Sequence, residues 1–291
     1  MRAAISRREE VGRLWAAISS RQEVGRLWAW SGPENLGLIT VAAYGIAFLI
    51  AEIMIAYVNL IAGAALHAII LITAVQHGIL WERSRSWRRH GLYGDMMTFL
   101  LCWPLADLTR LAGIGLPLDH LALEIRPGIV ALVLEVGVVS VLRASALSWE
   151  DLGLWHPEAR PELLMGAAGL PLGLIAFMLT SRSNLGQTRG VVAIVVSAAL
   201  VACVGAAEEM IFRGLLQKAC VGILGWVGVP FTAVLSAAPL LSDRSLGVFL
   251  YGFLVALLFG LWVYRRRNLM GVVIAHGVLA ATMSVIWPHL L

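Results

Sequence analysis

The run VVAIVVSAALVACVGAAEEMIFRGLL, residues 191–216, decides how the rest of the chain is read. From Val191 to Ala207 it holds no charged side chain; then Glu208, Glu209 and Arg213 follow within six residues. About 20 apolar residues in helical conformation cross a bilayer, so this is a membrane span with charge inside it. The whole chain agrees. Of 291 residues, 59% are hydrophobic and 14% charged, and the mean hydropathy is +0.83, whereas a soluble domain carries about 25% charged residues. The surplus apolar surface does not fit one water-soluble core and must face lipid, where backbone polar groups have to be satisfied internally. The expected fold class is all-α, a polytopic transmembrane helical bundle of eight or nine spans. A soluble enzyme is excluded.

Nine apolar runs mark the candidate spans, at about 37–57, 60–81, 95–114, 128–146, 163–180, 191–216, 222–241, 246–264 and 269–287. The third contains Pro104, Asp107 and Arg110. Asp107 and Arg110 are one helical turn apart and could pair; an interfacial or broken helix is the alternative, which leaves eight spans. With nine spans and the N-terminus inside, 16 Lys/Arg fall in cytoplasmic segments and four (Arg126, Arg182, Arg189, Arg244) fall outside. That asymmetry places the N-terminus in the cytoplasm. The formal charge of +4 is thus a topological signal, with clusters suited to anionic lipids at the cytoplasmic face and no stripe for nucleic acid. The first 35 residues stand apart: ISRREEVGRLWAA (5–17) is repeated almost unchanged as ISSRQEVGRLWAW (18–30), either an interfacial amphipathic segment or a poorly ordered extension. Three regions result: 1–35, the N-terminal spans 36–145 and a core 146–291. Cys102, Cys203 and Cys220 have no metal-ligand spacing and read as small buried hydrophobes.

A charge in the middle of a bilayer costs about 2.5–3.5 kcal/mol, so each requires a partner or a purpose. Glu52 and Glu135 read as lone carboxylates in the first and fourth spans. In the sixth span Glu209 and Arg213 are four apart with the acid first, the favourable order for a helical ion pair. Glu208 points about 100° away, beside Gly205, Ala206 and Ala207, which let another backbone come close. Desolvation suits such a carboxylate to general-base work; the plainer reading is that Arg213 snorkels toward the cytoplasm with the acids accompanying it. His276 lies nine residues past Arg267, while Glu208 and Glu209 lie ten and nine before Lys218. At 1.5 Å per residue all three reach a depth of about 14 Å from one face.

On these residues the chain resembles the CAAX-protease-like family, whose best-known members are the type II CAAX prenyl endopeptidases. The signature Glu-Glu-x-x-x-Arg is met by Glu208, Glu209 and Arg213, followed by Gly214. The downstream pattern of apolar span, basic turn and His-bearing helix is similar to GFLVALLFGLWVYRRRNLMGVVIAHG (252–277), with Gly260 and His276. SWEDLGLWHPEARPELLMG (148–166) looks like the Leu-Gly-Leu linker of the family, and the likeness covers about 145–285. The resemblance implies that Glu208 activates water, Glu209 and Arg213 hold it, and His276 stabilises the oxyanion, with no cofactor and no metal. The second motif, Phe-x-x-x-His, falls on Ser236 to Leu240, with Ser in place of its Phe and Leu in place of its His, and the third, His-x-x-x-Asn, falls on His276 to Ala280, with Ala in place of its Asn. The expected function is a glutamate-type intramembrane endopeptidase of a multi-pass membrane protein, acting on a membrane-associated or lipidated protein. The alternatives are an inactive member that binds a membrane partner in the same cavity, and a proton- or cation-coupled transporter using Glu52, Glu135 and the Glu208/Glu209 pair.

The charge count is directly testable. With single cysteines at Arg266 and Asn184 in an otherwise cysteine-free chain, an impermeant thiol reagent on intact cells is expected to label position 184 and spare 266. The reverse pattern overturns the orientation and the depth argument together.

Overall fold

The computed structural model describes residues 33–83, 93–115, 125–145, 147–154, 159–180 and 190–290. The duplicated segment 5–30 lies outside them. All regular structure among the described residues is helical. Helix α1 (Pro33–Ile53) runs into a π turn (Met54–Val58) and is followed by α2 (Leu60–Arg83), α3 (Tyr93–Gly115), α4 (Arg126–Ala144) and α5 (Ala159–Thr180). Helix α6 (Val191–Glu209) continues through a π turn (Met210–Leu216) into α7 (Gln217–Leu224). A 3₁₀ turn (Gly225–Val227) leads to α8 (Gly228–Ala237) and a second 3₁₀ segment (Ala238–Asp243). Then come α9 (Leu246–Arg266), α10 (Met270–Ala281), a π turn (Thr282–Ile286) and a short α11 (Trp287–Leu290).

Seven stretches of the described residues are long and apolar enough to cross a membrane, against the eight or nine expected. The difference has two causes. Val191–Asp243 is one unbroken helical run of 53 residues that doubles back at Gly225, so the sixth and seventh expected spans are two limbs of one hairpin. The limbs touch closely enough that a Cβ at Gly228 would sit 2.6 Å from the Cys220 backbone. Helix α3 is the other cause, since its charged residues keep it below the apolar threshold. It is nevertheless continuous through Pro104, and its Phe99 and Trp103 are fully buried.

Apolar residues divide between an interior and an outer surface, as a bundle in lipid requires. Phe48, Phe99, Trp103, Leu134, Ile211 and Leu215 belong to one core spanning both halves of the chain. Met165, Phe259, Val272 and Ala275 form a second, smaller one. Ile46, Ile50, Ile69, Val191, Val192 and Leu254 instead point outward, which water would penalise and lipid does not. Cys102 and Cys220 are buried as expected, whereas Cys203 faces outward.

Helix α10, which carries His276, is fixed from two directions. Across α5, Glu162 accepts a hydrogen bond from the Gly271 backbone N–H at 2.5 Å, so a carboxylate meets an otherwise orphaned donor at the N-terminal end of α10. The segment 147–154 docks on the turn before α10: the Leu269 N–H donates to the Gly153 carbonyl at 2.9 Å, with Gly153 at φ +78°. Lys218 adds a 2.9 Å hydrogen bond to the Asp151 carbonyl. The Leu-Gly-Leu segment is therefore a brace between α7 and α10.

Small residues on α5 set the distance to α10, since a Cβ on Gly169 would collide with the Ala275 carbonyl oxygen. Gly169→Ala is expected to destabilise the protein by about 1–3 kcal/mol, the usual cost of overpacking. Gly94→Ala, where nothing lies within 4 Å, is expected to be neutral. Thermal unfolding in detergent measures both, and equal melting temperatures would mean that α5 and α10 are not in close contact.

Candidate active site

Glu208 and Glu209 end α6, and Arg213 lies in the π turn that follows. Such a turn widens the helix locally and recurs at functional sites. The expected ion pair is present: Arg213 donates from Nη1 to Glu209 Oε1 at 3.0 Å. Neither end of this pair reaches solvent or lipid, Glu209 being 0% and Arg213 5% exposed. The second guanidinium nitrogen of Arg213 donates to Ser236 Oγ on α8, also at 3.0 Å. Ser236 in turn donates to the Ala233 carbonyl. Arg213 is thus held by both limbs of the hairpin, and the snorkelling alternative is set aside.

His276 arrives from α10 at the level that residue counting gives. Its Nδ1 lies 2.6 Å from Glu209 Oε1. An ionised carboxylate only accepts, so Nδ1 carries a proton and donates it. That bond fixes the ring and turns Nε2 toward Glu208, whose Oε2 is 3.7 Å away, beyond direct hydrogen-bond length. The approach needs Gly205: a Cβ there would stand 3.2 Å from the His276 carbonyl oxygen.

The two acids therefore differ sharply. Glu209 is enclosed and shared between Arg213 and His276, while the Glu208 side chain is 35% exposed and is the carboxylate of the pair that an incoming molecule can reach. Among the described residues no group of three His, Cys, Asp or Glu could hold a metal ion.

All four residues singled out in the sequence come together here. Several others that matter were not singled out. Ser236 was read as a departure from the second motif, and Glu162 was not read at all. Asp243 is exposed, and Ser242 donates to the Pro239 carbonyl. The Leu240 side chain packs where a Cβ of Gly252 would be, an apolar contact with α9. Gln217 donates to the Gly260 carbonyl at 3.0 Å, which ties α9 to α7. Glu52, expected alone, has His67 3.4 Å away. Asp107 accepts from His67, and the side chain of Arg110, which the sequence offered as its partner, lies outside the described residues.

Fold and site together define a multi-pass helical membrane protein with an acid–imidazole–guanidinium cluster enclosed by its helices. Residues 188–282 match the family described as type II CAAX prenyl endopeptidase Rce1-like, a segment that holds Glu208, Glu209, Arg213 and His276 and makes up about a third of the chain. The match begins later than the likeness expected from residue 145. Comparison with curated proteins and with solved structures gives no match.

The unequal burial of the acids gives a stability test. Glu209→Ala leaves Arg213 buried without its anion and releases His276, so a loss of about 3–5 kcal/mol is expected. Glu208→Ala removes an accessible carboxylate with no hydrogen-bonded cation and is expected to unfold within a few degrees of wild type. Equal melting temperatures for the two variants in detergent would show the acids to be equivalently solvated.

Proposed function

We propose that this protein is a glutamate-type intramembrane endopeptidase acting on a membrane-associated or lipidated protein. The observation that carries this reading is the division of labour between the acids: Glu209 is committed to Arg213 and His276, and Glu208 stands accessible beside His276 Nε2. In this scheme Glu208 takes a proton from water as the oxygen attacks the scissile carbonyl, and later delivers that proton to the leaving amine. His276, paired with Glu209 through Nδ1, is stabilised as an imidazolium whose Nε2–H donates to the developing oxyanion. Glu209 and Arg213 are positioning residues that keep the imidazole aimed. The scheme uses neither metal nor cofactor. Basic clusters at the cytoplasmic face are proposed to engage anionic lipid.

A second reading, a family member that binds a membrane partner without cleaving it, is favoured by Leu240 and Ala280, which stand at the second-motif His and third-motif Asn. Removing an acid–base group that positions water lowers rate by about 10²–10⁴. Wild-type protein in proteoliposomes, offered prenylated peptides, is accordingly expected to cleave slowly. Glu208→Gln is expected to abolish that cleavage, and Leu240→His with Ala280→Asn to raise it by about 10²-fold or more. Cleavage indifferent to Glu208→Gln would remove the site assignment. Binding without cleavage in both wild type and the double variant would establish the second reading.

A further inference from the structure

Glu135, on α4, is an acid that neither the packing nor the proposed chemistry uses. It stands nine residues after Arg126 and eight before Arg143, so about 12–14 Å of helix separates it from each of those end residues. That puts it near the middle of the bilayer. It is half-buried, and no described residue hydrogen-bonds to it or forms an ion pair with it. Where it faces follows from its neighbours. Two turns earlier on the same edge of α4, a Cβ on Gly128 would stand 2.9 Å from the Leu200 side chain of α6. The two helices run the same way, since Leu152, past the end of α4, reaches Gly214, past the end of α6. Glu135 therefore lies along the seam between α4 and α6, about level with Ala207. Leu132 and Val136, 61% and 58% exposed, turn the adjoining edge of α4 to lipid. The outer edge of α6 carries Val192, Val196 and Cys203, all exposed. The seam is a lipid-facing groove with a carboxylate at its midpoint.

We propose that this groove is a docking surface for a transmembrane helix of another protein, one that carries a lysine or arginine at mid-bilayer level. Depth and charge together choose the occupant. An acid inside a span is costly unless it meets a partner or a water-filled cavity. Lipid headgroups and soluble peptides stay at the interface, on the order of 10 Å from Glu135, so only a side chain on a membrane-inserted segment reaches it. Cations of this chain do not: Arg143 is more than two turns along the same helix, and Arg213 is engaged by Glu209 and Ser236. A second copy seated two-fold on the same groove would bring one Glu135 toward another, a meeting of like charges. Lysine or arginine on a foreign helix instead supplies both the charge and the donor that the carboxylate lacks. The surface is separate from the proposed catalytic acid. Around α6, Glu208 lies about 80° from Leu200, and Cys203 about 60° the other way. It stands independently of the peptidase reading.

The test uses the full-length chain in proteoliposomes and a Trp-flanked polyleucine helix of about 23 residues, long enough to span, with lysine at its centre and cysteine one turn away. Cys203 is exposed at the border of the groove, whereas Cys102 and Cys220 are buried, so oxidation by copper phenanthroline reads docking as a disulfide to Cys203. The lysine helix is expected to cross-link about 5–30-fold more than the same helix with leucine at its centre, the worth of a polar contact between helices in lipid. Glu135→Gln is expected to remove that preference. Val136→Trp, which fills the groove and keeps the acid, is expected to remove it too, and decides the matter where Glu135→Gln is not recovered folded. Equal cross-linking of the two helices to wild type overturns the proposal, as does a lysine preference that survives Glu135→Gln or Val136→Trp. A Cys203–Cys203 disulfide between copies of this chain that the lysine helix fails to displace also overturns it, and makes the groove a self-contact.

Discussion

The carboxylate of Glu209 is the constraint around which the C-terminal half of the molecule is arranged. An ionised acid with no exposed surface is tolerable only when its charge is matched by well-placed donors, and a single oxygen, Oε1, receives both Arg213 and His276. Each of those donors makes its own demand. Arg213 requires a second acceptor, which brings α8 back along α6 until Ser236 is within 3.0 Å. His276 requires α10 to pass close to α6, which Gly205 permits, and to hold its height, which Glu162 and the brace at Gly153 enforce. The accessible position of Glu208 follows from this arrangement, because the side that Glu209 turns inward is already full.

How much of this could be read in the sequence depended on the range of the interaction. The spans follow from apolar runs, since lipid leaves a segment no option but to satisfy its backbone internally. Glu209–Arg213 was legible because four residues is one helical turn. His276 was legible only through the combination of two helices sharing a face and a fixed rise per residue, a calculation that gave its level but not its partner. The partner turned out to be Glu209 through Nδ1, with Glu208 at the longer distance.

Contacts that cross the bundle left no local trace. Glu162 meets Gly271 across 109 residues, His67 meets Asp107 across 40, and Ser236 meets Arg213 across 23. Glu52 read as a lone carboxylate for the same reason: its neighbour His67 is on the next helix, and a histidine in an apolar run announces nothing by itself. Asp107 likewise meets His67 on another helix, a contact that nothing near it in sequence announces. Ser236 was misread differently. Viewed as a missing motif residue it marks a loss, whereas in the fold its hydroxyl completes the coordination of Arg213.

The hairpin formed by residues 191–243 has unequal arms, and this bears on the membrane itself. Val191–Leu224 contains 34 helical residues, about 50 Å at 1.5 Å per residue, against a hydrocarbon core of about 30 Å. The returning arm, ten α-helical and six 3₁₀ residues, reaches about 27 Å at 1.5 and 2.0 Å per residue. Since Gly225 joins them, one tilt cannot fit both: leaning the long arm to bury its length shortens the projection of its companion further. A short element is accommodated by thinning of the adjacent bilayer. The lipid beside Ser236 and Arg213 is therefore expected to be pinched, bringing the headgroup region, and water with it, nearer to Glu208 than a flat membrane would.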